Sequence, residues 1–250
     1  MRWLIGAGLF LVLLLGGPAY LYVTDATGVE TSWHEANRDS AGKAPGPDAH
    51  PEAVVQVYAA RAFRWRGVFA VHSWVAVKEA GAQRYRVYEV TSWRGGRVAT
   101  GFGIPDRNWF GNAPKLLLDV RGDEASALIP RIADAVERYP HDGDYAVWPG
   151  PNSNTFVAWL LRDVSGLNAA LPPTAVGKDY LSGAWLAPMP SRTGYQVSIN
   201  GVVGIGIARV EGLEVNVLGL VVGVDPLGLA VKLPGVGHIG LRDSSVARRQ

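Results

Sequence analysis

The chain has 250 residues, of which 48% are hydrophobic and 18% charged, with a formal net charge of +2. That is enough length to bury the core of one domain, and the scattered basic residues give no support to a nucleic-acid partner. The chain has no cysteine, which excludes disulfides, thiolate-bound zinc, iron–sulfur clusters and a cysteine nucleophile.

Trp3 to Val23 holds no charged residue. A bilayer core needs about 20 apolar residues in a helix, so residues 1–25 read as a transmembrane anchor. Arg2 precedes the run, and Asp25, Glu30 and Glu35 follow it. That asymmetry orients the N-terminus inward and the rest of the chain outward. A cleaved signal peptide with Gly17-Pro18-Ala19 as its cleavage site is the other reading. Both readings export the domain.

Residues 26–50 are rich in Gly, Pro and Ser and read as a linker. Residues 51–241 then form a single domain, and 242–250 a polar tail. Within Pro51 to Trp65, Ala53, Val54, Val57 and Tyr58 stand at helical spacing and predict a helix. Val68 to Lys78 is β-branched and aromatic, and Arg84 to Val90 alternates after a turn at Gly81, so the two predict a hairpin. A third strand is expected over Val98 to Ile104. Asp123 to Tyr139 predicts a helix, with Leu128, Ile129, Ile132 and Val136 on one face and Pro140 as its stop.

Asp144 to Trp148 predicts a short strand, and Pro149-Gly150-Pro151 a tight loop before a buried helix over Thr155 to Val164. From Tyr195 the chain alternates strands and glycine turns. Candidate strands are Val202–Val210, Leu213–Val217, Leu220–Val224 and Leu227–Leu233. A second membrane span through Val215 to Leu233 is opposed by Asp225-Pro226 and Lys232. The fold class is therefore α+β: an antiparallel sheet packed on helices, with a glycine-rich C-terminal β segment and an N-terminal transmembrane helix.

Arg61, Arg64 and Arg66 alternate with Phe63 and Trp65, but no basic face continues from them. Gly204-x-Gly206 lacks the third glycine and the following helix of a dinucleotide loop. The five histidines (His34, His50, His72, His141 and His238) are far apart, so no metal site and no cofactor are expected.

The loop-to-helix junction at Ser153 carries more chemistry. A helix N-terminus stabilises a developing anion, and its N–H groups can hold an oxyanion. Serine needs a base, and His72 is the histidine on a predicted core strand. The base needs an orienting acceptor. Glu89 on the paired strand suits, with Asn152, Asp106 and Asn108 as other choices. The plainer reading makes Ser153, Asn152 or Asn154 an N-cap and His72 a core residue. Trp65, Trp74, Trp93, Trp109, Trp148 and Trp159 gather in the same stretches and can line a pocket or simply fill a core.

His72-Ser73-Trp74-Val75-Ala76-Val77, followed by Asn152-Ser153-Asn154-Thr155-Phe156-Val157, resembles a family of bacterial membrane proteins known as a domain of unknown function. The resemblance runs from about Phe69 to the C-terminus, through Lys178-Asp179-Tyr180 and Glu211-Gly212-Leu213-Glu214. More distantly, the two segments resemble the circularly permuted papain-like group, which includes lecithin:retinol acyltransferase and permuted relatives of NlpC-type cell-wall peptidases. There a strand histidine comes first, and an Asn-Cys-Glu-His-Phe-like segment opens a later helix. His72 matches the histidine, Ser153 the cysteine, and Asn152 and Phe156 the flanking positions, while Asn154 and Thr155 depart from Glu-His.

The resemblance implies a papain-like hydrolase or acyl/peptidyl transferase, tethered to a bacterial inner membrane and facing the periplasm or exterior. Its catalytic residues would be Ser153, His72 and Glu89. Asn152, Asn154, Trp74, Trp148 and Trp109 would contact an envelope glycan, peptide or lipid. Serine in place of cysteine leaves two other readings open: a non-catalytic envelope binding or scaffold protein, and a lipid-contacting module with Val202 to Leu233 at the bilayer surface.

Overall fold

The structure, a computed structural model, describes residues 2–26, 32–241 and 247–249. Glu30 and most of the expected polar tail lie outside the described residues. Helix α1 (Arg2–Val23) is long and apolar enough to cross a membrane. The first sheet comprises β1 (Val54–Arg61), β2 (Val71–Lys78), β3 (Arg86–Val90), β4 (Val98–Ala99) and β5 (Lys115–Arg121), joined at one edge by β13 (Ala247–Arg249). Its order is β13-β5-β1-β2-β3-β4, antiparallel throughout except where β13 runs parallel to β5.

The helix expected over Pro51 to Trp65 is instead strand β1, the centre of this sheet. Val55, Val57 and Ala59 face one core, while Val54, Tyr58 and Ala60 face another. Burial on both sides removes the alternation that would mark a strand, and a continuous apolar run imitates a helix face. Strand β5, which the sequence analysis did not mark, pairs along the other side of β1.

Two helices cover one face of the sheet. Helix α2 (Gly122–Glu137) carries Asp123 and Glu124 in its first turn, where acidic residues suit the helix dipole. It buries Leu128, Ile129 and Ile132, as its spacing predicts. Helix α3 (Ser153–Asp163) buries Phe156, Leu160 and Leu161 in the same core. Residues 144–148 form no strand; Ala146 bonds to Pro151 across the loop that enters α3, and no strand among the described residues pairs with them. The third strand is confined to Val98–Ala99, after which the chain follows β3 irregularly through Gly101 and Gly103.

The opposite face of the sheet is covered by aromatics and by the segment expected as a linker. The Asp106 carboxylate accepts hydrogen bonds from Ser40 Oγ (2.8 Å) and from the N–H groups of Lys43 (2.5 Å) and Ala44 (3.1 Å). Ala36 is buried with Tyr58, Trp74 and Trp109. Residues 32–50 are therefore tied down onto the domain, and the Asp106 side chain is occupied there rather than beside His72.

The C-terminal third forms a second, antiparallel sheet. It comprises β6 (Leu186–Pro188), β7 (Gly194–Ile199), β8 (Val203–Ala208), β9 (Gly212–Val217), β10 (Leu220–Asp225), β11 (Ala230–Leu233) and β12 (Gly237–Gly240), paired in sequence order.

Candidate functional site

Helix α3 begins in the wall of a cleft, with Asn152, Ser153 and Asn154 buried there, and its first turn explains the Asn-Ser-Asn-Thr run. The Asn152 side chain accepts from the N–H groups of Asn154 (2.9 Å) and Thr155 (3.3 Å), while Thr155 Oγ1 accepts from the Asn152 N–H (3.2 Å). This is a reciprocal capping box with Thr in place of Glu. The Phe156 N–H bonds to the Asn152 carbonyl. Of the first-turn N–H groups, that of Ser153 alone has no described partner.

The loop at 176–177 closes over this turn. Asn152 Nδ2 donates to the carbonyls of Val147 (3.2 Å) and Val176 (3.1 Å), and Thr155 Oγ1 donates to Gly177 O (2.8 Å). Gly177 has φ of 98°, and a Cβ there would overlap the Asn152 amide. Asn154 Nδ2 donates to Val71 O (2.9 Å) and Val176 O (2.8 Å), and its Oδ1 accepts from Ser73 Oγ (2.8 Å). Both asparagines reach the cleft wall, yet their amides are engaged, that of Asn154 in holding α3 to β2 and that of Asn152 in capping α3 and holding the carbonyls of Val147 and Val176. They are fastenings of the fold rather than free substrate contacts. The Ser153 hydroxyl has no described partner.

His72 projects from β2 toward the aromatic side of the sheet. Its Nε2 lies 3.1 Å from Glu89 Oε2, and Arg107 Nη2 holds the same oxygen at 2.6 Å. Burial pushes the imidazole below its ordinary range, and the Glu89 hydrogen bond and charge only partly offset this. Burial alone would raise the Glu89 carboxyl, but the His72 hydrogen bond and the Arg107 charge outweigh it and hold it below the ordinary carboxylate range. The pair is therefore a neutral imidazole on a carboxylate. A carboxylate only accepts, so Nε2 carries the proton and Nδ1 is left as an acceptor. The ring lies flat on Trp109, centroids 3.6 Å apart and 12° from parallel.

His72, Glu89, Arg107, Trp109 and Ser153 all line one cleft of about 890 Å3, a size that suits a small-molecule or peptide site. Trp93 stacks on Trp109 (5.7 Å), and Phe110 meets Trp109 edge-on (5.1 Å). Trp33, from the segment expected as a linker, completes the aromatic wall with Phe63. His72 and Ser153 share the cleft, but no hydrogen bond joins them among the described residues.

Other expected contacts fall elsewhere. Trp74 is fully buried, donates to Pro105 O (2.7 Å) and belongs to the core. Trp148 turns away to donate to Leu218 O (2.9 Å) at the β9–β10 turn. Asn108 does line the cleft, and its side chain bonds to the Asp39 carbonyl (3.1 Å). Arg107, between Asp106 and Asn108, is the site residue without a sequence signal. An arginine in a loop carries no signal until tertiary structure sets it on a carboxylate. No group of three or more His, Asp and Glu side chains is placed to hold a metal ion among the described residues.

Residues 52–180 match a family described as a protein of unknown function, DUF3750. The match begins earlier than Phe69 and stops at Tyr180, so Glu211 to Glu214 lie beyond it. No curated protein and no solved structure is similar enough to be matched to the chain. The matched residues cover β1 to β5, both packing helices, His72, Glu89, Arg107 and Ser153, leaving Trp33 and Arg38 of the cleft outside, and the chain belongs to the DUF3750 family.

Proposed function

We propose that this protein is a membrane-tethered papain-like hydrolase or acyl/peptidyl transferase, with serine as its nucleophile, acting on cell-envelope material. The observation that carries the reading is His72, held through Nε2 by Glu89 in the cleft that Ser153 also lines. In the first step Ser153 Oγ attacks a carbonyl carbon, and His72 Nδ1 takes the hydroxyl proton. The Ser153 N–H, unpaired at the positive end of α3, faces the developing oxyanion. Collapse of the tetrahedral species expels the alcohol or amine, which leaves with the proton from His72. Water or a second acceptor then releases the acyl group. Catalytic contacts are often loose without substrate, so the open Ser153–His72 gap is expected to tighten on binding.

The location belongs to the same proposal. Helix α1 spans a bacterial inner membrane, with Arg2 inside and the domain on the periplasmic or outer side.

The test is labelling of the full chain in lipid vesicles with a fluorophosphonate, read by mass spectrometry. The expected result is one adduct on Ser153, lost in Ser153→Ala and slowed at least 10-fold (about 10²–10⁴ is usual for a general base) in His72→Gln. No adduct, or one elsewhere, sinks serine catalysis. A binding protein on the same fold is then favoured by the Trp93–Trp109–Phe110 wall, which can hold a ligand without turnover.

A further inference from the structure

The second sheet is built inside out. Its inward positions include Gln196, Ser198, Glu214, Asn216, Asp225 and Lys232, all buried. Its outward positions are aliphatic apart from Tyr195. The strand register aligns them in rows: Tyr195, Ile207, Leu213, Val224, Val231 and Ile239 in one, and Val197, Ile205, Val215 and Val222 in the next. No charged side chain interrupts either row. Ile199, Ile205 and Ile207 are 64%, 54% and 69% exposed. At about 4.8 Å between strands and 3.3 Å per residue the face measures roughly 30 by 20 Å in plan. That is at the top of the range that monomers leave to water.

The position of α1 indicates what covers it. Leu14 and Pro18 are buried in the otherwise exposed helix. Gly17 and Pro18 touch the β11–β12 turn so closely that a Cβ on Gly17 would overlap Pro234 and Val236, and one on Gly235 (φ 71°) would overlap Pro18. Arg61 of β1 fixes this turn by donating to the carbonyls of Gly235 and, at 3.2 Å, Val236. At 1.5 Å per residue, Pro18 lies about 8 Å and Leu14 about 14 Å from the helix end at Val23. If α1 spans the bilayer, a turn of the second sheet is therefore held at the depth of the outer leaflet.

We infer that the outer face of the second sheet is seated in the outer leaflet of the membrane that α1 crosses, so the domain is monotopic as well as anchored. The inference rests on the proposed anchor role of α1. Inter-strand bonds satisfy the backbone across the face, so aliphatic side chains enter the acyl region while the β6 and β12 edges stay at headgroup level. Trp185 and Tyr195, both exposed, suit that boundary. Exposed Arg192 and Arg209 at the strand ends suit anionic headgroups. Lipid is thereby the occupant, and a second copy of the chain is the competing one.

The native chain lacks cysteine, so single cysteines can be placed at will. Full-length variants Ile205→Cys, Val215→Cys, Leu11→Cys (α1) and Glu79→Cys (exposed, after β2) are labelled with an environment-sensitive fluorophore. They are reconstituted in phosphatidylcholine–phosphatidylglycerol vesicles with and without doxyl-labelled lipid. The expected result is loss of most emission at positions 205, 215 and 11, with position 79 unaffected. Quenching at 11 but not at 205 and 215 overturns the inference while sparing the anchor. Self-quenching between labels at 205 without lipid quenching also overturns it and assigns the face to a second copy. Quenching at 205 and 215 but not at 11 upholds the seated face and removes the spanning helix. No quenching at any position removes both.

Discussion

The two sheets of this chain bury opposite kinds of side chain. The first sheet hides aliphatics on both faces, under α2 and α3 on one side and under aromatics on the other. The second hides charge and shows aliphatics. Lys178 Nζ bonds to Asp179 Oδ1 (2.8 Å) and Glu214 Oε2 (2.7 Å), while Lys232 Nζ bonds to Glu214 Oε1 (2.6 Å). Asn216 Nδ2 reaches Asp179 Oδ2 (3.0 Å). Arg162 of α3 enters the same layer, donating to the carbonyls of Lys178 (2.8 Å) and Pro188 (2.9 Å), and burial pushes its guanidinium down to about 10. Burial opposes the Lys178 charge too, but Asp179 and Glu214 more than offset it and hold the ammonium above its ordinary range. The difference teaches that a polar network can substitute for an apolar core when the apolar face is needed outside.

The largest expected effect falls on that network. Glu214→Ala leaves two ammonium groups buried without their shared carboxylate and should cost about 3–5 kcal/mol, as broken buried pairs do. Guanidinium unfolding of the full chain in detergent micelles measures it. A cost under about 1 kcal/mol, the size of an exposed ion pair, would mean water reaches the cluster and would weaken the contrast between the sheets.

Leu160→Ala in the first core should cost about 2–5 kcal/mol through lost transfer and a residual cavity. The same unfolding assay with this variant calibrates the apolar side of the comparison.

His72 of the first region and Glu214 of the second should also respond to acid in different windows. The folded state holds His72 below its ordinary value, so the unfolded chain binds the extra proton and stability falls as pH drops below about 6.5. Burial raises Glu214, but Lys178 and Lys232 outweigh it and hold the carboxyl low, so its contribution is lost only as pH falls below about 4.5. Each group contributes at most about 1.4 kcal/mol per pH unit. His72→Phe should flatten the upper window and also diminish the Glu89 share of the lower one, because Glu89 loses the His72 hydrogen bond; a flat wild-type profile above pH 5 would contradict a buried neutral His72.

The smallest effect is expected on the outer face. Ile205→Ser should change stability in micelles by no more than about 0.5 kcal/mol, as exposed substitutions do. A cost matching that of Leu160→Ala would show that another protein surface already covers the face.

Much of the site was legible in the sequence because its parts sit on marked local structure. Asn152 to Thr155 announces a helix start, and His72 and Glu89 fall on paired strands. Arg107, Trp33 and the engagement of both asparagine amides were not legible, since each depends on chain segments distant in sequence meeting at the cleft. Strand β1 was misread for a related reason: a strand buried on both faces loses its period.

The sequence by itself determined the apolar run of α1, the period of 3.6 in α2 and the strands between glycine turns from Val202 to Leu233. It did not determine which side of the second sheet faces in. Alternation states that two faces differ; their neighbours decide which is covered. Here Lys178, Asp179 and Arg162, brought in by the loop after α3 and by α3 itself, pair with the polar face and draw it inward. The aliphatic face is left exposed, on the sheet whose β11–β12 turn meets α1.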